Sequence, residues 1–210
     1  MTTKKQWLLD RMKGLSGTDA SAIIGRNPWK TNIDVWEEKM GRPSNISSND
    51  AMIYGTKAEK PLFTLFKLDF PQYKSVANGY DIVKHDNYPF LIGTPDGFLT
   101  EKETGRKGIL EIKTSTIINS MAREKWKDQI PENYYIQVLH YMLVNRAEFA
   151  IVKAQLKSVY GEEISLNTKH YYIERKDVIN DMIYLMKEEV SFWHKYIIPK
   201  IKPDLLLPAI

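Results

Sequence analysis

The 210-residue chain contains no cysteine. Disulfides, thiolate zinc sites, iron–sulfur clusters and cysteine nucleophiles are excluded together. Histidine is scarce. His85, His140, His170 and His194 stand far apart with no paired metal-ligand spacing, so each reads as structural. No apolar run is long enough to span a bilayer, and the first seven residues lack the apolar core of a signal peptide. The expectation is a soluble protein of the cytoplasm with no membrane partner. A GxxxxGK[ST] loop is missing, which argues against an NTP-driven motor. With no internal repeat and no dividing linker, residues 1–210 are expected to form a single domain.

What is present is ordinary in composition and mildly basic. Thirty Lys and Arg stand against 26 Asp and Glu, a net charge of +4. Such a balance suits a polyanionic partner without demanding one. Apolar spacing predicts a helix over 5–13, a second over 18–25 closed by Gly25, and a third that Thr31 caps and Gly41 and Pro43 end. A helix start carrying a hydroxyl just after Arg11 is either an ordinary cap or an anion site. Residues 44–50 read as a polar, mobile loop. A longer helix over 51–69 contains Gly55-Thr56-Lys57-Ala58-Glu59 and is expected to kink or restart at Pro61. Strands are expected at 75–84, 91–94, 149–159 and 170–174. Pro131 introduces a helix over 132–144, on which Gln137 and Tyr141 share a face. The last helix, 176–195, shows a core stripe of Ile179, Met182, Ile183, Met186, Val190 and Trp193. The apolar tail from Pro203 to Pro208 should pack on the domain or on a neighbouring subunit. This order predicts an α/β domain with a central mixed sheet.

The densest chemistry lies between residues 93 and 113. Gly93-Thr94-Pro95-Asp96-Gly97-Phe98, a basic turn, and Ile109-Leu110-Glu111-Ile112-Lys113 read as a β-hairpin. Strand alternation sends Glu111 and Lys113 to one face and Leu110 and Ile112 to the opposite, buried one. Strand pairing would then bring Asp96 and Glu111 together at one end of a sheet, with Lys113 one pleat further. Two carboxylates and an ammonium suit Mg²⁺-assisted phosphodiester hydrolysis. They equally suit a turn former beside a solvated strand face, and spacing alone leaves both readings open.

The ordered set of motifs goes further. Helical Glu59, Asp96 in a Pro-Asp turn, Glu111-Ile112-Lys113 and helical Gln137 together resemble the PD-(D/E)XK nuclease core. More closely, the chain resembles the lambda-exonuclease-like, YqaJ viral recombinase group of phage alkaline exonucleases. The likeness includes Gly14-Leu15-Ser16-Gly17-Thr18-Asp19-Ala20, Asn27-Pro28-Trp29-Lys30-Thr31 with Trp36, Gly55-Thr56-Lys57-Ala58-Glu59, and Tyr135-Ile136-Gln137-Val138-Leu139-His140-Tyr141. These cover roughly residues 11 to 145 in family order.

The resemblance implies roles. Asp96 and Glu111 would hold Mg²⁺ with the Ile112 carbonyl and Glu59, at two ions per site and with Mn²⁺ able to substitute. Lys113 would orient the attacking water, and Gln137 would steady it. Arg11, Thr18 and Thr94 stand where the family holds a DNA 5′-phosphate with an arginine and two serines. The implied activity is 5′→3′ degradation of one strand of linear duplex DNA, leaving 3′ tails for single-strand annealing. A ring-shaped homotrimer, an annealing-protein partner and a phage or prophage origin in a bacterial host are implied as well. Two other readings are an endonuclease of restriction or repair type, and an inactive DNA-binding recombination protein on the same fold.

Overall fold

The computed structural model describes residues 3–42 and 49–207. Helices α1 (Lys4–Arg11), α2 (Gly17–Ile23), α3 (Asn32–Lys39) and α4 (Asp50–Asp69) precede strand β1 (Tyr73–Ala77). Two short strands follow, β2 (Val83–Lys84) and β3 (Ile92–Gly93), then the long hairpin β4 (Gly97–Glu101) and β5 (Lys107–Thr116). Helices α5 (Ser120–Glu124) and α6 (Glu132–Val144) cross to β6 (Phe149–Tyr160), which turns into β7 (Glu163–Glu174) and ends in α7 (Ile179–Phe192). The main sheet has the order β1-β4-β5-β6-β7 and is mixed, because β5 and β6 are parallel while the other neighbours are antiparallel. A parallel pair needs a crossover, and α5 and α6 supply it. Strands β2 and β3 form a separate two-stranded sheet.

Helices cover both faces of the main sheet. On one face Leu62, Phe63 and Phe66 of α4 pack on Leu99, Leu110, Ile112 and Ile151. On the other, Ile136, Leu139 and Met142 of α6 and Met182 and Leu185 of α7 pack on Ile109, Ala150 and Val152. The central strand β5 is therefore enclosed on both sides. Glu111 is 3% exposed, so its face is no solvated strand surface.

Other expectations shift for physical reasons. The stretch 75–84 is two strands in two sheets, β1 and β2, broken by the turn at Asn78 and Gly79, whose φ is +67°. Strand β7 begins at Glu163, seven residues before the expected start; its distal half is exposed on both faces, so nothing imposes an apolar–polar alternation there. Ile179 and Ile183 of α7 are exposed, and the buried stripe is Met182, Leu185, Glu189 and Phe192. A carboxylate occupies a core position there because Glu189 Oε1 meets buried His140 Nδ1 at 2.6 Å. His140 is a core residue, its other ring nitrogen 2.8 Å from the Ile92 carbonyl. Helix α4 runs through Pro61 as one helix. Of the expected loop at 44–50, residues 44–48 lie outside the described residues, as does Pro43, while Asn49 caps α4 and Asp50 opens it. The tail is pinned to its own domain. Asn32 donates to the Asp204 carbonyl (2.7 Å) and accepts from the Leu206 N–H (2.9 Å), although Leu205, Leu206 and Leu207 stay exposed and Pro208 lies outside the described residues.

Candidate functional site

The register of the central hairpin builds the site. Gly97 pairs with Leu110, which sets Asp96, one residue earlier, beside Glu111. Asp96 Oδ2 accepts the Ile112 N–H at 2.6 Å. Glu111 Oε1 accepts from Lys113 Nζ (2.8 Å) and from Gln137 Nε2 (2.9 Å). Lys113 Nζ also donates to Gln137 Oε1 at 2.9 Å, closing a three-residue ring between β5 and α6. Gln137 Nε2 reaches the Tyr141 hydroxyl at 3.2 Å, so the shared face of Gln137 and Tyr141 does look into the site. The Lys113 ammonium lies 4.7 Å from the centroid of the Tyr134 ring, an additional favourable contact.

The charges in this cluster do not balance. Burial, then the neighbouring Glu111 charge, pushes the Asp96 carboxyl well above the usual range, and Lys113 only partly offsets them. Glu59 on α4 is raised as well, by partial loss of solvent first and then by Glu111. Burial alone would weaken the Lys113 ammonium, but Glu111 and Asp96 outweigh it and hold the proton more tightly than usual. Glu111 Oε2 is buried with no hydrogen-bond partner among the described residues. An orphaned buried carboxylate oxygen is costly; the same is true of Glu189 Oε2 in the core, but Glu111 Oε2 lies beside a second acid, Asp96, where a cation would relieve both. The oxygen donors of Asp96 and Glu111 suit a hard divalent ion of the Mg²⁺ type. Among the described residues no three carboxylate or histidine side chains close into a ready-made cage. Glu59 is thus brought within electrostatic range of Asp96 and Glu111 rather than into a tight triad.

A second cluster adjoins the first. Arg11 Nη2 donates to Thr18 Oγ1 (2.9 Å) and Ser16 Oγ (3.0 Å), and its guanidinium lies 4.6 Å from the Trp7 ring centroid. Trp7 Nε1 in turn donates to Thr94 Oγ1 at 3.2 Å. Arg11, Thr18 and Thr94 are therefore one connected group, with Trp7 as the link. The close approach of α2 to α6 depends on Gly17, where a Cβ would sit 2.7 Å from Tyr141 and 2.9 Å from Gln137. Ser16 is the N-cap residue of α2, and its N–H and hydroxyl both donate to Asp19 Oδ2 at 2.9 Å. Sequence reading passed over both Ser16 and Trp7. The Ser-x-x-Asp capping spacing and the i, i+4 placement of Trp7 and Arg11 were the available signals.

Beneath this cluster Asp19 is buried and fully engaged. It binds Lys30 (2.7 Å) and Lys39 (2.9 Å) and accepts from both the hydroxyl and the N–H of Ser16. Burial would raise its carboxyl, but Lys39, Lys30 and Arg11 win and hold it well below the usual range.

A mixed sheet enclosed by helices, with acids from a turn and a central strand beside a lysine, defines the PD-(D/E)XK nuclease-like fold. Within that class the chain belongs to the YqaJ-like viral recombinase domain family, whose model matches residues 6–148. It is 33% identical to the uncharacterised protein YqaJ of Bacillus subtilis (strain 168), over 97% of this chain and 59% of that protein. An uncharacterised protein of Acanthamoeba polyphaga mimivirus is 28% identical over 69% of the chain and 27% of its own length. The chain therefore spans only part of the length of these relatives. Among solved structures, the alkaline exonuclease LHK-Exo of Laribacter hongkongensis superimposes with a TM-score of 0.71 at 15% identity, covering 94% of each chain. A phage-related exonuclease of Haemophilus somnus 129PT gives 0.59 at 17% identity, over 90% of this chain and 95% of the other. Among the described residues no helix is long and apolar enough to cross a membrane.

Proposed function

We propose that this protein is a divalent-metal-dependent nuclease that degrades one strand of linear duplex DNA from its 5′ end, leaving a 3′ single strand. The observation that carries this reading is the underbalanced acid pair, with Glu111 Oε2 buried and unpartnered beside a raised Asp96. Asp96 and Glu111, with the Ile112 carbonyl and Glu59, would hold the ion, which when bound supplies Lewis-acid stabilisation of charge on the attacked phosphate. Lys113, held in its charged form, serves as a hydrogen-bond donor and positive neighbour to the attacking water rather than as a proton acceptor. Gln137 fixes Lys113 and Glu111 relative to each other and so sets the direction in which the ammonium points. The Arg11–Thr18–Thr94 cluster is the proposed seat of the 5′-phosphate. Its closeness to the acids is supported by Tyr141, whose hydroxyl feels both Glu111 and Arg11.

The chain would act as one nuclease domain, since β6, β7 and α7 beyond residue 148 extend the same sheet and core. Assembly into a ring-shaped trimer and cooperation with a single-strand annealing protein belong to the same proposal, on family membership. The test is a linear duplex with a 5′-phosphate and distinguishable labels on both ends, incubated with Mg²⁺ or chelator beside a covalently closed circle. Metal-dependent release of the 5′ label with the circle intact is expected. A cut circle would replace this reading with an endonuclease, and no cleavage with any divalent ion would leave a DNA-binding protein.

A further inference from the structure

Trp29 is 67% exposed, an expensive way to leave an indole, yet its backbone is held by buried groups. Asn27 Oδ1 accepts the N–H of Trp29 (2.9 Å) and of Lys30 (3.1 Å), while Asn27 Nδ2 donates to Ser21 Oγ at 3.1 Å. Lys30, the next residue, is locked between Asp19 (2.7 Å) and Glu38 (2.5 Å). A loosely tethered surface tryptophan could fold back onto apolar surface; this one is anchored on both sides of its Cα. Its ring centroid lies 6.4 Å from that of Tyr134, whose face is already taken by the Lys113 ammonium. Behind Tyr134 stands buried Trp126, with centroids 5.8 Å apart. Tyr134 thus touches buried Trp126, the Lys113 ammonium of the acid site and exposed Trp29, and Trp29 is the solvent-facing member of the group.

We infer that Trp29 is a stacking platform for a nucleobase, that of the nucleotide lying between the Arg11 cluster and the Asp96–Glu111 pair. The inference rests on the nuclease reading above. Both of those clusters address phosphates and leave the base without a partner. A flat indole offers a π-face that any base can use, which suits an enzyme that must accept every sequence in turn. The Tyr134 ring, pinned over Lys113, acts as a buttress that keeps the indole at the rim. The same turn ties the platform to the 5′-phosphate seat, because Lys30 pairs with buried Asp19, the residue next to Thr18 in the chain.

The test pairs protein and substrate changes. Steady-state cleavage of a 5′-phosphorylated duplex is compared for the wild type, Trp29→Ala and Trp29→Phe, each with an ordinary and an abasic 5′-terminal nucleotide. Loss of one base–aromatic stack corresponds to roughly a tenfold rise in KM. That rise is expected for Trp29→Ala on the ordinary end, and Trp29→Phe should recover most of it. The abasic end should weaken the wild type by a similar factor and Trp29→Ala hardly at all. Equal losses for Trp29→Ala on both ends, or an unchanged KM, would overturn the inference while leaving the nuclease reading intact. Binding in chelator separates the two further. Tryptophan emission should be quenched when a 5′-phosphorylated single-stranded oligonucleotide is added to the wild type, and far less in Trp29→Phe. Quenching of equal depth in both proteins would refute the platform whether or not DNA is cut.

Discussion

Two of the molecule's buried acid centres, around Asp19 and around Glu111, are built in opposite ways. Asp19 has two lysines, a hydroxyl and an N–H around it, and its carboxyl is held well below the ordinary range. Asp96 and Glu111 share one ammonium; Asp96 is pushed well above that range and one Glu111 oxygen has no partner among the described residues. Both centres carry the desolvation cost of buried charge. Of these two, the first recovers it from neighbours among the described residues and the second does so in part. The lesson is that burial of an acid says little about its role, whereas the balance of its neighbours says a great deal. A closed network is satisfied by the chain itself, and an open one leaves an oxygen that a ligand could engage.

The largest effect that could break this contrast is on activity. Glu111→Ala and Lys113→Ala should each lower DNA hydrolysis by about a thousandfold or more, with unchanged far-ultraviolet circular dichroism. Retained cleavage in both would remove the open centre from the chemistry. Next in size, Asp19→Ala strands Lys39 and half of Lys30's partners in the interior, for an expected loss of about 3–5 kcal/mol in urea unfolding. Asp96→Asn in chelator should be neutral or stabilising in the same assay. If the two variants cost the same, the distinction between the centres fails.

Mg²⁺ sharpens the comparison from the other side. At a hundredfold excess over its dissociation constant it should raise wild-type unfolding free energy by about 2.7 kcal/mol, and Asp96→Asn and Glu111→Ala should lose that gain. A magnesium response undiminished in both variants would place the ion elsewhere. Smallest is the pH slope, at most about 1.4 kcal/mol per pH unit for one proton. The depressed Asp19 contributes stability that is complete above its unfolded value, near 4, and drains away as pH falls below it. The raised Asp96 has the opposite sign: without metal, the folded protein binds its proton more tightly than the unfolded chain does. Stability should therefore fall as pH rises from about 4 through the raised value, a slope that Asp96→Asn would flatten and Asp19→Asn would not.

Much of the candidate site was legible in the residues. Strand alternation put Glu111 and Lys113 on one face, and a Pro-Asp-Gly turn put Asp96 at the start of the partner strand, because both follow from local backbone geometry. Helix α6 was readable to the residue, since Pro131 marks its start and its apolar residues are dense. The readings that went astray were those in which a distant element overrode the local pattern. The face of α7 rotated around the Glu189–His140 pair, and β7 ran on through residues with no burial to mark them. Trp7 and Ser16 were missed because their parts in the Arg11 cluster need a helix, a loop and a strand to meet.

By itself, then, the sequence determined the inventory: which side chains could bind a hard cation, which turn and strand would carry them, and the family to which the ordered motifs belong. Backbone preferences and side-chain periodicity are local, so they survive being read one segment at a time. The tertiary structure alone decided which acids would be neutralised and which left open. That balance depends on lysines eleven and twenty residues from Asp19, on a glutamine from another helix, and on how completely two helical layers exclude water from β5. Desolvation and charge pairing act through space, and only the folded chain brings those groups into range.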